Sequence, residues 1–160
     1  VRQTSSTHGA DGFITTDPAV IEAFQRRLQK KIEDHVGDFA FYAAEGLDAA
    51  ETVILAYGVT ARAAREAAAR LRREGRRVGL LVLKTLWPVP EALIRDKIGP
   101  CRHVLVAEMN LGQYVHEIRR VLPGVRVDFI GQMNGNLLTP RQIRDALGEQ
   151  NSKSETRNPK

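Results

Sequence analysis

The stretch VLVAEMNLGQ, residues 104–113, decides how this chain folds. Its first four residues, Val104-Leu105-Val106-Ala107, are a continuous apolar run of the length of a strand buried on both faces. Polar groups then arrive together, with Glu108, Asn110, Gly112 and Gln113 inside six residues. Asn110 is a good N-cap, and Leu111, Val115, Ile118 and Leu122 carry on as a helical stripe. The segment predicts strand, crest, helix, with its unusual residues on the crest. In open α/β sheets, ligands and partners bind beyond the carboxyl ends of the strands. The question for the rest of the chain is whether other crests share that edge.

Outward from this segment the same unit repeats. TVILAY (52–57) is a buried strand, and Gly58-Val59-Thr60 turns into a helix reaching about Glu74, with Ala61, Ala64, Ala68 and Leu71 inward. Gly75 ends it, and VGLLVL (78–83) is the next strand, leading into KTLWPVP (84–90). A short helix follows with Leu93, Ile94 and Ile98 inward, stopped by Gly99-Pro100. After the opening segment, whose helix ends at Pro123-Gly124, VRVDFI (125–130) alternates apolar and polar residues as a strand near the sheet's edge does. A Gly/Asn loop (131–138) leads to Thr139-Pro140, which start a last helix carrying Ile143 and Leu147. Upstream, Asp17-Pro18 starts a helix whose buried stripe is Ile21, Phe24, Leu28 and Ile32, with Gly37 as its stop. FAFYAAE (39–45) is compatible with a short strand, although its alternation is poor. Residues 1–16 read as an N-terminal arm, 17–147 as one α/β domain, and 148–160 as a disordered polar tail. Four strands alternating with four helices require parallel pairing through right-handed crossovers, so the expected fold is a doubly wound α/β sandwich.

With all strands parallel, the turns after them lie on one edge. That edge collects residues 57–60, 84–90, 108–113 and 131–136, and with them the candidate interface or cleft residues Gly58, Thr60, Trp87, Glu108, Asn110, Gln113 and Asn134. Several have modest explanations: Asn110 as a cap, the glycines as turn residues, Trp87 as either a core plug or an interface anchor. Glu108 is harder to explain away, because a carboxylate closing a buried strand must find a donor or face a cleft.

Many chemistries are excluded. One glycine in YGVTAR, and Lys84 where an acid would follow the second strand, do not make a dinucleotide fingerprint. There is no Cys/His spacing for a metal, no G-x-S-x-G elbow and no P-loop. Cys101 is the single cysteine; it suits a reducing compartment and reads as a small residue at a strand entrance. Cys101 and His103 are near neighbours without further partners, and His116 reads as a surface residue. No apolar run approaches the ~18 residues of a membrane span. The net charge of +5 concentrates at residues 62–77, where seven arginines meet two glutamates. That is either a patch for phosphate or an acidic protein, or the solvated face of an Ala-rich helix. No aromatics interleave with the arginines, which argues against nucleic acid. Val rather than Met at position 1 points to a fragment or a processed chain.

The ordered set AYGVTAR, LKTLWPVP, VAEMNLGQ and GQMNGNLLTPRQI resembles the C-terminal part of the α subunit of 2-oxoacid:ferredoxin oxidoreductases of the 2-oxoglutarate, 2-oxoisovalerate and pyruvate group. The likeness covers about Asp17 to Leu147. It implies a transketolase C-terminal-like domain: a three-layer α/β/α sandwich with a mostly parallel five-stranded sheet and one antiparallel edge strand, a place that residues 39–44 would fill. It also implies that the whole enzyme oxidatively decarboxylates a 2-oxoacid to acyl-CoA, using thiamine diphosphate, Mg, iron–sulfur clusters, CoA and ferredoxin, in the cytoplasm. The implied partners are a pyrimidine-binding domain of the same subunit and a pyrophosphate-binding β subunit. No catalytic, cofactor or metal residue carries over, and one cysteine holds no cluster. Trp87, Glu108, Asn110 and Gln113 match motif positions that the resemblance assigns to domain or subunit contact. The expectation is a non-catalytic contact domain, inactive alone and binding no cofactor by itself. The alternatives are a small-ligand or anion-binding module using the crest edge, and a self-association domain forming a homodimer.

Overall fold

The computed structural model describes residues 6–155, with side chains described for residues 6–148. Residues 1–5 of the expected arm and 156–160 of the expected tail lie outside the described residues. The chain divides into two compact units, Val1–Phe39 and Ala40–Lys160.

In the first unit, His8 and Ile14 form an isolated antiparallel bridge. Helix α1 spans Pro18–Glu33, with the Asp17 carboxylate accepting from the Ala19 and Val20 N–H groups and Pro18 at the first helical position, as the sequence predicts. Two expectations fail here. Gly37 lies inside a short second helix, α2 (Val36–Phe39), rather than stopping the first. None of α1 is buried, and Leu28 and Ile32 are exposed. Periodicity reports which side chains share a face; tertiary contacts alone decide whether that face is covered.

The second unit is built on five strands, β1 (Tyr42–Glu45), β2 (Thr52–Tyr57), β3 (Val78–Leu83), β4 (His103–Glu108) and β5 (Arg126–Gly131). Their spatial order is β1-β3-β2-β4-β5. β1 runs antiparallel along β3, and the other pairings are parallel, as the resemblance implies. Helices α3 (Thr60–Arg73), α4 (Glu91–Ile98), α5 (Tyr114–Val121) and α6 (Pro140–Glu155) make the outer layers. Successive residues of a strand serve opposite faces. Val53 and Leu55 of β2 join Ile94, Ile98 and Ile118 in one core, while Ile54 and Ala56 join Ala64, Ala68, Leu71 and Ile143 in the other. Burial on both faces is why these strands read as unbroken apolar runs. The alanines of α3 let that helix lie close on the sheet.

α6 opens with a reciprocal cap. The Thr139 hydroxyl accepts from the Gln142 backbone N–H at 3.3 Å, and the Gln142 side-chain Oε1 accepts from the Thr139 N–H at 2.9 Å. The helix then continues through Gly148 to Glu155, into the segment expected to be a disordered tail. A glycine inside a helix costs only about 1 kcal/mol, so it does not oblige the helix to stop. None of the described helices is long and apolar enough to cross a membrane.

Register sets where the crests fall. Tyr57 is level with Leu83, Ala56 with Ala107, and Glu108 with Gly131. The turns leaving β2, β3, β4 and β5 therefore share one rim. The β2→β3 crossover (α3) lies on one face and the β4→β5 crossover (α5) on the other. The β2–β4 boundary is thus the switch point of the sheet, where such folds open a crevice.

Candidate functional site

Glu108 closes β4 at that switch point with 0% exposure, the one buried charged side chain among the described residues. Its Oε2 accepts from the Tyr57 hydroxyl (2.6 Å), the Asn110 side-chain amide (2.9 Å) and the Tyr114 N–H (3.0 Å), and its Oε1 from the Val115 N–H (3.0 Å). Tyr114 and Val115 are the first two residues of α5, so the carboxylate sits on orphan donors at the positive end of that helix. Asn110 does not cap α5 as expected. Its Oδ1 instead folds the crest by accepting from the Gly112 and Gln113 N–H groups at 2.8 and 3.0 Å, while its amide also donates to the Tyr57 oxygen at 2.8 Å. Three crest residues, Leu111, Gly112 and Gln113, intervene before the helix starts, and the longer Glu108 side chain does the capping.

Two tyrosines complete the cluster. Tyr57 and Tyr114 pack edge to face with centroids 5.5 Å apart, and the Tyr114 hydroxyl donates to the Leu86 carbonyl at 3.2 Å, tying in the β3 crest. Burial, then the hydrogen bond to Glu108, push the Tyr57 hydroxyl well above the ordinary phenol range. Burial pushes Tyr114 up to about 12. Both hydroxyls thus stay protonated donors. Gly131, level with Glu108 on β5, completes the packing: a Cβ there would sit 2.6 Å from the Asn110 carbonyl oxygen. The tyrosines and Gly131 escape a sequence reading, although a hydroxyl-bearing aromatic ending a buried strand is a signal that a partner must be found for it.

The cluster is closed upon itself. An uncapped helix N-terminus at a switch point is an anion site in many α/β folds; here a side chain of the chain fills it. The arrangement rigidifies four crests and leaves no free base or nucleophile within the cluster.

The other candidates lie on the outside of the same rim. Trp87 is 79% exposed and so is not a core plug, and it precedes Pro88 through a cis peptide. Gly58 ends the β2 crest at φ +56°, and Thr60 begins α3 with 4% exposure. Gln113 is exposed at the start of α5, and Asn134 folds the last loop by accepting from the Asn136 N–H. Leu111, expected on the buried stripe of α5, is 76% exposed, because it belongs to the crest and the helical period begins only at Tyr114. With Phe41, Val59, Met133 and Leu137 these make six large apolar side chains open to solvent on one rim. Phe41 belongs there because its carbonyl accepts from the Lys84 and Thr85 N–H groups. Among the described residues of this unit, the one further exposed large hydrophobic is Tyr42, beside the rim on the edge strand. Two clefts open on the rim. One of about 360 Å³ is lined by Val59, Thr60, Arg62, Met109 and Leu137; another of about 510 Å³ is lined by Tyr57, Arg65, Lys84 and Leu86.

The arginine run is mostly internal bookkeeping of charge: Arg65 pairs with Glu45, Arg70 and Arg73 with Glu66, and Arg77 with Glu51. At the opposite end of the sheet, His103 is not alone. Its Nε2 lies 2.9 Å from the Asp128 carboxylate and its Nδ1 3.3 Å from the Thr52 hydroxyl. Burial nonetheless holds its pKa below the ordinary histidine value, outweighing Asp128. Cys101 is buried, donates to the Glu51 and His103 carbonyls, and has its thiol pKa pushed up by burial. No group of three or more His, Cys, Asp or Glu among the described residues is placed to hold a metal.

Residues 50–143 match the family described as pyruvate:ferredoxin oxidoreductase core domain II. The 2-oxoglutarate synthase subunit KorA of Methanothermobacter marburgensis is 32% identical over 90% of this chain and 39% of its own length. The ketoisovalerate oxidoreductase subunit VorB of Methanothermobacter thermautotrophicus is 36% identical over 81% of this chain and 37% of its own length. The chain thus spans under half the length of these relatives. A 2-oxoglutarate:ferredoxin oxidoreductase from Magnetococcus marinus, solved with 2-oxoglutarate, coenzyme A and succinyl-CoA bound, superposes with a TM-score of 0.80 at 32% identity, over 91% of this chain and 26% of that one. A split-gene transketolase, an inactive β4 tetramer, shares the fold at a TM-score of 0.55 and 24% identity, over 68% of this chain and 40% of that one. With more than half of its residues inside the family match, the chain belongs to the pyruvate:ferredoxin oxidoreductase core domain II family.

Proposed function

We propose that this chain is the non-catalytic contact domain of a thiamine-diphosphate-dependent 2-oxoacid:ferredoxin oxidoreductase, and that its carboxyl rim is the contact face. The observation that carries the reading is the segregation of exposed apolar side chains: Phe41, Val59, Trp87, Leu111, Met133 and Leu137 all stand on the rim that Glu108 rigidifies. A monomer rarely keeps such a patch uncovered. In this reading the whole enzyme converts a 2-oxoacid to acyl-CoA with thiamine diphosphate, Mg, iron–sulfur clusters, CoA and ferredoxin. The rest of the α subunit and a pyrophosphate-binding β subunit are the surfaces that the rim meets. The chain's own residues do not fit the cofactors. The switch-point helix end that would welcome a pyrophosphate already holds the Glu108 carboxylate, and a lone buried cysteine does not ligate a cluster. No step of the reaction is therefore routed through these residues; they hold a surface in shape.

The test is Trp87→Ala with Leu111→Ala in the complete enzyme. Each exposed side chain adds little to the domain's own stability, within about 0.5 kcal/mol. As buried anchors of an interface, Trp87 alone weakens assembly by ~2 kcal/mol or more. Sedimentation of the complete enzyme reads the second quantity and urea unfolding of the chain reads the first. An assembly unaffected by both substitutions sinks the reading, as does 2-oxoacid oxidation by this chain alone.

A further inference from the structure

The crests of β4 and β2 treat the helices that follow them in opposite ways. α5 is capped from within by Glu108. α3, fourteen residues long, has Val59 at its N-cap position and no side-chain cap. Its first turn lines the smaller rim cleft, together with the buried Thr60 and the exposed Arg62. Six of the seven arginines in residues 62–77 bond to a carboxylate or a carbonyl of the chain. Arg62 meets no acid among the described residues, and neither does Lys84, the exposed cation of the second cleft. The four crests carry one acidic residue, Glu108, and it is buried and fully bonded. The rim therefore offers six large apolar side chains, two unanswered cations and no exposed anion.

That composition selects its partner. A wholly apolar surface seated here would bury Arg62 and Lys84 without counter-charge, which is costly. A bare phosphate or nucleotide would leave Trp87, Leu111 and Met133 wet. We propose that the occupant of this rim is a protein surface of apolar residues bearing Asp or Glu side chains, resting on the contact-face reading above and naming its chemistry. One carboxylate enters the cleft beside Arg62 and caps α3 as Glu108 caps α5. A second meets Lys84. The relatives extend far beyond the span of this chain, which leaves chain outside that span from which such a surface would come.

The experiment uses the complete enzyme, with hydrogen exchange at the amides of residues 58–62 and 84–87 as the readout, at low and at high salt. The double variant Arg62→Glu with Lys84→Glu is compared with the charge-keeping Arg62→Lys with Lys84→Arg, and with Arg102→Glu at the opposite end of the sheet. All these side chains are exposed, and unfolding midpoints check that each variant folds. The expected result is exchange at both crests faster by about tenfold or more in the double reversal, wild-type rates in the other two, and a loosening of the wild type at high salt. Crest amides as protected in the double reversal as in the wild type overturn the inference. Equal loosening by Arg102→Glu also overturns it, since overall charge would then be the cause. If Trp87→Ala loosens the assembly while the double reversal does nothing, the contact face stands and its acidic partner falls.

Discussion

The two ends of the sheet are made from the same strands and differ in what they leave open. At the carboxyl rim Tyr57 and Asn110 are turned inward, onto Glu108, and apolar side chains such as Trp87 and Leu111 face out. At the amino end the arrangement is the reverse. Charged side chains face out as pairs, Arg77 with Glu51 and Arg126 with Asp128, while Cys101 lies buried behind them. The amino end is finished as a protein surface normally is. The carboxyl rim is rigid beneath and, beside the exposed Arg62 and Lys84, carries six large apolar side chains on top.

The comparison breaks first at Glu108. Glu108→Ala takes the acceptor from the half-buried Tyr57 hydroxyl and Asn110 amide and strands the buried Tyr114 and Val115 N–H groups, each buried donor costing about 1–3 kcal/mol when unmet. We expect a loss of roughly 3–5 kcal/mol in urea unfolding, with Glu108→Gln milder because one oxygen acceptor remains. A loss under about 1 kcal/mol would mean that the rim is not held by its carboxylate. Gly131→Ala comes next. Its Cβ meets the Asn110 carbonyl oxygen at 2.6 Å, backbone that does not yield cheaply, so overpacking of about 1–3 kcal/mol is expected by the same measurement.

The smallest effect belongs to the amino end and is one of pH. Burial keeps the folded pKa of His103 below its unfolded value of about 6.5. At pH values between the two, the unfolded chain binds the proton and the folded chain does not, so stability rises with pH there. The contribution is complete above the unfolded pKa and is lost as pH falls through it toward the folded one. Unfolding midpoints measured downward from neutral pH should decline, and His103→Gln should flatten the decline. An unchanged slope would show that His103 is not the group responsible.

Much of the fold was legible in the chain. The spans 52–57 and 78–83 coincide with β2 and β3, because strands buried on both faces admit only apolar residues and their ends are marked by the first polar ones. The inward face of α3, Ala61, Ala64, Ala68 and Leu71, was legible for the same reason. The antiparallel β1 was not: YAAE has no clean alternation, half-exposed as it is on an edge, and only the family resemblance supplied its place. Leu111 was misplaced because a crest residue three positions before the helix falls in phase with the helical period by chance.

For the candidate site, the sequence by itself determined which crests gather on one rim and that Glu108 must find donors or face a cleft. Parallel pairing and the cost of burying a bare carboxylate require both. Only the tertiary structure decided who the donors are. Tyr57 lies 51 residues away from Glu108, and nothing local couples them. Nor does any local pattern tell a buried Trp87 from one left outside. Exposure depends on what the rest of the chain leaves uncovered, a property of the packed whole.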